Sequence, residues 1–541
     1  MAREVLTLQF GHYSNFVGTH WWNIQETGFE YCSDEPSEIN HDVLFREGLT
    51  NQGVVTFTPR LLLVDLKGAL RTLPEVGTLY DPIPSVEDVN VNWSERVEVE
   101  TAEAELLNEF QQCLSSDNNT DTLQKTYPFD KTVKVWSDFL YSRFHPRTVN
   151  VVQQYSYESA YNFNSFSQGT ALWQIPQFNE TFSDKIRNYI EECDNLQGFH
   201  IILDATNGFS GLAASCMRHI EEEYEKKPIL AFPVIPSHYQ ENEHRTSCLT
   251  ASFREMNIAL CFDSLNEHSS LFVPISTGTS GWRCPTPKRT FNHVSFNQNL
   301  HYHTSAILAA ALDTITIKHR LRSSQYCLKD LSADFNIYGR KMAAASMCLP
   351  FPIHEGCDFI DCLDNWEGPL TRNITPNCSL GTDKLVQLFT IRGIPEDRLK
   401  RPLSESHLQY TMPAYQCNSI SEMLSFYLSC NYFFCLSNVV STQKGISVKT
   451  PFPSIFGKPL NCDGNISEGE RYCPIDQVPI LAGIQSGSTI GRTIESLYLE
   501  VKKVKQPEVN AFASGNIELH DIIEGFERLL DMKECYEDGY S

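Results

Sequence analysis

The chain has 541 residues, 41% of them apolar and 11% aromatic, and a formal net charge of −24. This composition excludes a disordered protein, and the length allows roughly three or four domains of about 150 residues each. The negative charge repels nucleic acid and anionic lipid, so we expect no nucleic-acid partner. The sequence has no apolar signal core at its start and no apolar run of about 18 residues. We therefore expect a soluble, cytoplasmic protein that associates with membranes only peripherally.

The 18 cysteines predict reduced, buried thiols, because several lie within apolar patterns and no signal peptide precedes them. His354, Cys357 and Cys362 are close in sequence, but their spacing matches no common zinc site. We therefore expect no metal at these three residues.

The chain begins with a predicted strand over residues 4–10, which ends at Gly11. A helix is expected to begin near Ser14 or Asn15, since both residue types are good N-caps. Residues 28–53 are rich in Glu, Asp, Ser and Asn and predict a surface loop. The first elements therefore form a strand, a glycine turn and a helix.

A buried strand follows Pro59 and ends in the carboxylate of Asp65. Doubly wound sheets bind ligands at strand ends, so Asp65 could orient a metal-bound phosphate. It could instead cap the next turn, and position alone favours capping by about two to one. Acids dominate residues 82–130, which predict an inserted, solvated segment with a helix over 103–114. The apolar spacing over residues 134–144 predicts another helix.

Residues 196–228 form the unit around which the rest of the chain is organised. An apolar run over 201–203 predicts a buried strand, a glycine turn follows over 207–211, and an amphipathic helix ends before Pro228. Free backbone amides at such a helix start can hold a phosphate. Glycines also serve merely to turn a chain, and the turn alone gives both interpretations equal weight.

Residues 229–234 and 259–262 predict two more strands, and strands that alternate with helices favour a doubly wound parallel sheet. Residues 304–321 are apolar nearly all round, which predicts a helix buried between two domains. Further strands are predicted over residues 342–349, 385–392 and 438–442, and further helices over residues 420–429, 490–502 and 518–535.

We predict four segments in an α/β protein. Residues 1–300 form the first α/β domain, which carries the acidic insertion at about 82–130. Residues 301–325 form the central buried helix and its connection, 326–485 a second α/β domain, and 486–541 a C-terminal helical segment.

These units together resemble the tubulin/FtsZ superfamily. Gln9, Gly11 and Asn15 match the first strand and phosphate loop of tubulin, and Val64-Asp65-Leu66 matches its second loop, which touches nucleotide and magnesium. Within the superfamily, the aromatic-rich stretches resemble the misato family. These stretches are Gly18-Thr19-His20-Trp21-Trp22-Asn23, Val135-Trp136-Ser137-Asp138-Phe139-Leu140 with His145-Pro146-Arg147, and Gly208-Phe209-Ser210-Gly211.

The departures from tubulin's pattern bear on activity. Thr206 and Asn207 stand at two glycine positions of the phosphate signature, and Phe209 stands at its threonine. Lys67 replaces an acid after the second loop, and no asparagine occupies the expected place between residues 325 and 330. The resemblance therefore implies a degenerate GTP-binding site and argues against head-to-tail GTPase polymerisation.

The misato resemblance implies a non-enzymatic protein that regulates mitochondrial distribution, morphology and fusion from the cytoplasm and the outer mitochondrial membrane. It implies protein partners among the fusion machinery of that membrane, tubulin or chaperonin. The acidic surface near residues 98–109 is expected to bind basic regions in a salt-sensitive way.

No catalytic residue, metal or cofactor is expected. The alternative is a tubulin-related cytoskeletal or spindle factor that binds GTP or GDP and hydrolyses GTP slowly. The residues that would surround such a nucleotide are Gln9, Gly11, His12, Asn15, Asp65, Gly208, Ser210 and Gly211.

Overall fold

The computed structural model describes fourteen stretches of the chain and gives the bounds of their strands and helices. These stretches are residues 3–29, 36–49, 53–74, 106–115, 122–123, 125–157, 163–239, 248–279, 282, 287–379, 385–400, 411–469, 473–513 and 517–537. The strands are β1 Val5–Phe10, β2 Phe45–Leu49, β3 Val55–Pro59, β4 Leu61–Lys67, β5 Val149–Ser156, β6 Gly198–Asp204, β7 Ile229–Val234, β8 Leu271–Phe272, β9 Ala344–Cys348, β10 Arg372–Asn373, β11 Leu385–Arg392, β12 Phe434–Thr442, β13 Ile446–Ser447, β14 Gln477–Val478 and β15 Ile480–Ser486. The helices are α1 His12–Thr27, α2 Glu109–Ser115, α3 Phe129–Thr132, α4 Phe166–Trp173, α5 Pro176–Glu191, α6 Phe209–Glu223, α7 Cys248–His268, α8 His301–Ile315, α9 Leu328–Phe335, α10 Phe359–Asp364, α11 Pro413–Gln416, α12 Ile420–Asn431, α13 Ile490–Val501, α14 Gln506–Phe512 and α15 Leu519–Glu534.

The first sheet is parallel and has the order β5-β4-β1-β6-β7-β8. Every residue of β1, β6 and β7 is buried, because helices cover both faces of the sheet. Side chains alternate between these faces: Val5 joins the core with α1 and α8, whereas Leu6 and Leu8 join the core with α6 and α7. The predicted α/β class with a doubly wound parallel sheet is therefore confirmed.

Helix α8 connects the two halves of the molecule. Every residue from Tyr302 to Ile315 is buried, since α8 packs against α1 on one side and against β11 and β15 on the other. The predicted central helix is thus present, although it ends at Ile315 rather than at residue 321.

The second sheet is mixed and has the order β10-β9-β15-β11-β12. Strand β15 lies antiparallel to β9 and β11, while β11 and β12 are parallel. Helices α13, α14 and α15 return to the first half and pack against α7. The chain therefore has a second α/β region and a C-terminal helical layer, and the exact domain boundaries stay predictions.

Three predicted elements are wrong. Residues 259–262 lie inside α7, because four apolar residues fit a buried helix as well as a strand. Residues 134–144 contain only a short 3-10 helix, Trp136–Phe139, in which the Asp138 carboxylate accepts the N–H groups of Lys134 and Val135. The predicted loop over residues 28–53 contains β2, which pairs with β3 and buries Phe45.

Two further predictions change in detail. The helix expected over residues 103–114 is seen as α2, from Glu109, and residues 101–105 lie outside the described ranges. The expectation of free thiols is wrong at Cys462 and Cys473, which form a disulfide. The two cysteines are eleven positions apart in the sequence, and this spacing gave no sign of the pair.

Candidate functional site

The carboxyl ends of β1, β4 and β6 meet beside the N-terminus of α1. This edge of a parallel sheet is where such folds bind ligands, and the free N–H groups of a helix start favour an anion there. Gly11, His12 and Asn15 lie on the first turn of α1, and Asp65 lies near the end of β4. The structure brings these four predicted residues together.

An internal carboxylate occupies the anion position of α1. Asp204, the last residue of β6, accepts the N–H groups of Tyr13 at 3.2 Å and Ser14 at 2.6 Å. A Cβ added at Gly11 would lie 2.5 Å from the Asp204 carboxylate carbon, and Gly11 has φ of 113°. Gly11 is therefore needed to bring the chain over Asp204. Helix α1 begins at His12, two residues before the predicted start, because this distant acid replaces a local cap.

The Asp204 carboxyl is fully enclosed. Burial raises its pKa to about 6, against the lowering effect of the Ser14 N–H, the Asn207 side-chain amide and the Tyr13 N–H. At neutral pH it is therefore largely ionised despite its burial, and it presents a negative charge to the start of α1.

Asp65 is also buried and has several donors. Its Oδ2 accepts the indole N–H of Trp136 at 2.8 Å and the amide of Asn15 at 3.0 Å, and lies 3.4 Å from Nδ1 of His12. Its Oδ1 accepts the N–H of Leu66 at 2.8 Å. A metal ion at Oδ2 of Asp65 would compete with the Trp136 indole and the Asn15 amide for that oxygen.

The Gln9 side chain does not face the group formed by Gly11, His12, Asn15 and Asp65. A Cβ added at Gly18 would lie 2.1 Å from Gln9 Nε2, so the glutamine packs beneath α1. Its Nε2 is buried and has no hydrogen-bond partner among the described residues. The structure therefore separates Gln9 from the other predicted residues.

The glycine turn before α6 packs closely against the chain before α4. Gly208 donates its N–H to the carbonyl of Phe163 at 3.0 Å, and a Cβ at Gly208 would lie 2.9 Å from the Phe163 ring. A Cβ at Gly211 would lie 2.0 Å from the carbonyl oxygen of Phe166. Phe209 packs edge-on against Phe163, with ring centroids 5.0 Å apart. Both glycines thus allow close packing of two backbones.

Asn207 supplies acceptors to the start of α6. Its Oδ1 accepts the N–H of Phe209 at 3.0 Å, and its carbonyl accepts the N–H of Ser210 at 3.1 Å. The Ser210 hydroxyl donates to the same carbonyl at 2.6 Å. The Asn207 amide donates to Asp204 at 3.2 Å, which joins this turn to the start of α1. Amides that would face a phosphate therefore have acceptors within the chain.

Sequence reasoning missed three residues of the site: Asp204, Trp136 and Asn257. Asn257, on α7, accepts the N–H of Phe166 at 2.7 Å and donates to the carbonyls of Asn164 and Thr206. Asp204 ends an apolar strand as Asp65 does, and this shared position was the available signal. No local pattern marks Trp136 or Asn257.

The other positions noted in the sequence are the segment between residues 325 and 330, Lys67, and the group His354, Cys357 and Cys362. Asp330 accepts the N–H of Cys327 at 2.8 Å at the start of α9, and Lys67 is exposed at the end of β4. Burial raises the pKa of the Cys362 thiol to about 11. Among the described residues, the donor atoms of His354, Cys357 and Cys362 form no metal-binding cluster.

Within the described part of the chain, no helix is both long and apolar enough to cross a membrane.

Two family models match the sequence. "Misato Segment II tubulin-like domain" matches residues 3–116, and "Tubulin domain" matches residues 126–321.

Three relatives are similar over nearly their whole length. "Protein misato" of Drosophila melanogaster is 36% identical over 99% of this chain and 99% of its own. "Protein misato homolog 1" of Danio rerio is 32% identical over 100% of this chain and 98% of its own. The Homo sapiens protein of the same name is 31% identical over 100% and 99%.

Proposed function

The chain belongs to the misato family of tubulin-like proteins, and on that premise we propose that it acts by binding other proteins and hydrolyses no nucleotide. The proposed role is control of mitochondrial distribution, morphology and fusion, exerted from the cytoplasm and the cytosolic face of the outer membrane. The proposed partners are outer-membrane fusion proteins, tubulin or chaperonin. Its fold is that of a nucleotide-binding scaffold, so the function must be argued from the site.

One observation carries the proposal: the Asp204 carboxylate lies at the N-terminus of α1, where a nucleotide phosphate would bind. A phosphate placed about 4 Å from this carboxylate would be repelled by about 4 kcal/mol per charge pair at an effective dielectric constant of about 20. The scaffold therefore supplies its own anion and disfavours an external one.

The neighbouring groups support the same conclusion. The Trp136 indole donates to Asp65, the acid matched to magnesium contact by the tubulin resemblance. Phe163 packs on Gly208 and Phe209 at the glycine turn. A bound magnesium nucleotide would require these side chains to move together, which adds the cost of unpairing each hydrogen bond.

Nucleotide binding tests the proposal. The full chain is titrated with fluorescent GTP and GDP, with and without magnesium, and we expect no saturable binding up to about 1 mM. Gly208→Trp is the matched variant, because a side chain at Gly208 meets the Phe163 ring. Submicromolar binding by the natural chain that Gly208→Trp abolishes, with the fold retained by circular dichroism, would establish the alternative function as a GTP-binding protein.

The partner proposal has its own test. Isolated mitochondria are incubated with the chain and washed at low and high salt, since screening weakens contacts between an acidic protein and basic partners. We expect high salt to release the chain, and protease added to intact mitochondria to digest it. Binding that resists both treatments would contradict peripheral attachment to the outer face. Residues 98–105 of the acidic segment lie outside the described ranges.

A further inference from the structure

A second region has the opposite electrostatic character. A cavity of about 490 Å³ lies between the segment that follows β8 and the second sheet. Its wall includes Phe389 of β11, Leu428 of α12 and Gln485 of β15. Its volume is in the range of sites that hold small organic ligands, roughly 300–1,000 Å³.

Three cations line this cavity: Lys288, Arg289 and Arg372. No aspartate or glutamate is among the described residues of its wall. The whole chain has 67 acids and 43 lysines and arginines, so a wall with three cations and no acid departs from its average. The cavity is therefore a local site of positive potential in an acidic protein.

Arg289 is held in place, and the described residues give it no acidic partner. Its Nη2 donates to the carbonyls of Thr375 at 2.8 Å and Thr279 at 3.3 Å, and its Nε is buried with no acceptor among the described residues. Burial lowers the pKa of this guanidinium to about 10. A half-buried cation without a paired acid is unfavourable, and a bound anion would relieve that cost.

The other two cations are also positioned. The exposed Arg372 donates from Nη1 to the hydroxyl of Thr290 at 3.2 Å. Lys288 donates to the carbonyl of Phe296 at 3.1 Å, and its Nζ lies 5.2 Å from the centre of the Phe296 ring. Each of these two exposed side chains thus has a hydrogen bond that restrains it at the cavity wall, which lowers the entropy lost on binding.

We propose that this cavity binds a small organic phosphate, a phosphate monoester attached to an apolar or aromatic body. Three cations match the charge of a phosphate dianion better than that of a single carboxylate, and the arginine fork suits phosphate oxygens. The apolar part would lie against the hydrophobic side of the wall, which includes Leu370, Phe389, Leu428 and Tyr432.

Calorimetric titration of the full chain with phenyl phosphate tests this. We expect saturable one-to-one binding below about 1 mM, and weakening by at least about fivefold in Arg372→Gln. Arg289→Lys keeps the charge but loses the fork, so we expect a loss of about tenfold. Arg322→Gln is the matched control. Like Arg372, Arg322 is exposed and donates a side-chain hydrogen bond to an oxygen, here the Ser37 carbonyl, but it lies outside the cavity wall.

Arg372 is exposed, so its variant tests the proposal even if Arg289→Lys fails to fold. No heat of binding at about 5 mM phenyl phosphate, or equal affinity in the natural chain and Arg372→Gln, would overturn the proposal. Inorganic phosphate and phenylacetate are titrated in the same way, as comparison ligands. We expect both to bind at least about fivefold more weakly, since one lacks the apolar body and the other lacks the second charge. Equal affinity for either would overturn the proposed ligand class.

Discussion

The start of α1 and the cavity lined by Lys288, Arg289 and Arg372 present opposite charges to an external anion. At α1 the chain supplies its own carboxylate, Asp204, for the N–H groups of Tyr13 and Ser14, and at α6 the Phe209 N–H also has an internal acceptor. In the cavity three cations are positioned, and Arg289 Nε has no acceptor in the described part of the chain. The start of α1 lies where the sequence predicts a phosphate site, whereas the cavity has the positive charge that would attract a phosphate. Potential for ligand binding is thus better judged from which polar groups lack partners than from inherited motifs.

The largest effect is expected from Gly11→Ala. The new Cβ would lie 2.5 Å from the Asp204 carboxylate carbon at a φ of 113°, so we expect a loss of about 3 kcal/mol in the free energy of unfolding. Gly68→Ala is the control, because Gly68 has φ of 90° and nothing within 4 Å of an added Cβ. Denaturant melts compare the two. Equal losses would show that Asp204 does not fill the start of α1.

The next effect is a pH dependence at Asp204. Burial raises its pKa from 3.8 to about 6, so the folded protein holds a proton that the unfolded chain releases. The stability of the natural chain should therefore fall as pH rises from about 4 to 6, relative to Asp204→Asn, by about 2–3 kcal/mol at most. Urea melts of both proteins across this interval measure it. A difference that is constant with pH would contradict a buried, ionisable cap.

Trp136→Phe is expected to have a smaller effect. The ring remains, but Asp65 loses its indole donor, and we expect a cost of about 1–2 kcal/mol. Trp282→Phe is matched to it, because the Trp282 indole donates at 2.9 Å to the neutral hydroxyl of Ser496. Its cost should be lower, about 0.5–1.5 kcal/mol. If Trp136→Phe costs less than Trp282→Phe in denaturant melts, Asp65 does not depend on the indole.

The smallest effect concerns the cavity. Phenyl phosphate at about ten times its Kd should stabilise the natural chain by about 1.4 kcal/mol, seen as a rise of about 1 °C in Tm for a chain of this length. Arg372→Gln should show a smaller rise at the same concentration, while Gly208→Trp should show the full rise relative to its own baseline. A rise that Gly208→Trp removes would place the phosphate at the glycine turn instead.

Much of the fold was predictable from local patterns. The bounds of β7 and β11 match the predicted ones. Strand β7 is an unbroken apolar run, as a strand buried on both faces needs, whereas β11 also contains Gln387, Thr390 and Arg392. The all-round apolar surface of α8 predicted its central position. Residues 259–262 were wrongly predicted as a strand, because a run of four apolar residues shows no periodicity that distinguishes a strand from a helix. Phe139 is buried from a 3-10 turn, so its apolar spacing did not require a long helix.

The candidate site, like the fold, was predicted only in part from the sequence. Sequence brought Gly11, Asn15 and Asp65 into one hypothesis, and the structure places them together. It could not pair Trp136 with Asp65, because these residues are 71 positions apart. It also grouped Gln9 with these residues in the alternative hypothesis, and the structure places the Gln9 side chain against Gly18.

The amino-acid sequence by itself determined the alternation of strands and helices and the buried connector α8, because periodicity acts over a few neighbouring residues. It also indicated the family, through the resemblance of its aromatic-rich stretches. Only the tertiary structure decided what occupies the start of α1. Asp204 and Ser14 are 190 positions apart, and their hydrogen bond exists because β1 and β6 are neighbours in the sheet. The cavity's three cations likewise meet only after folding, since Arg372 reaches Thr290 across 82 residues.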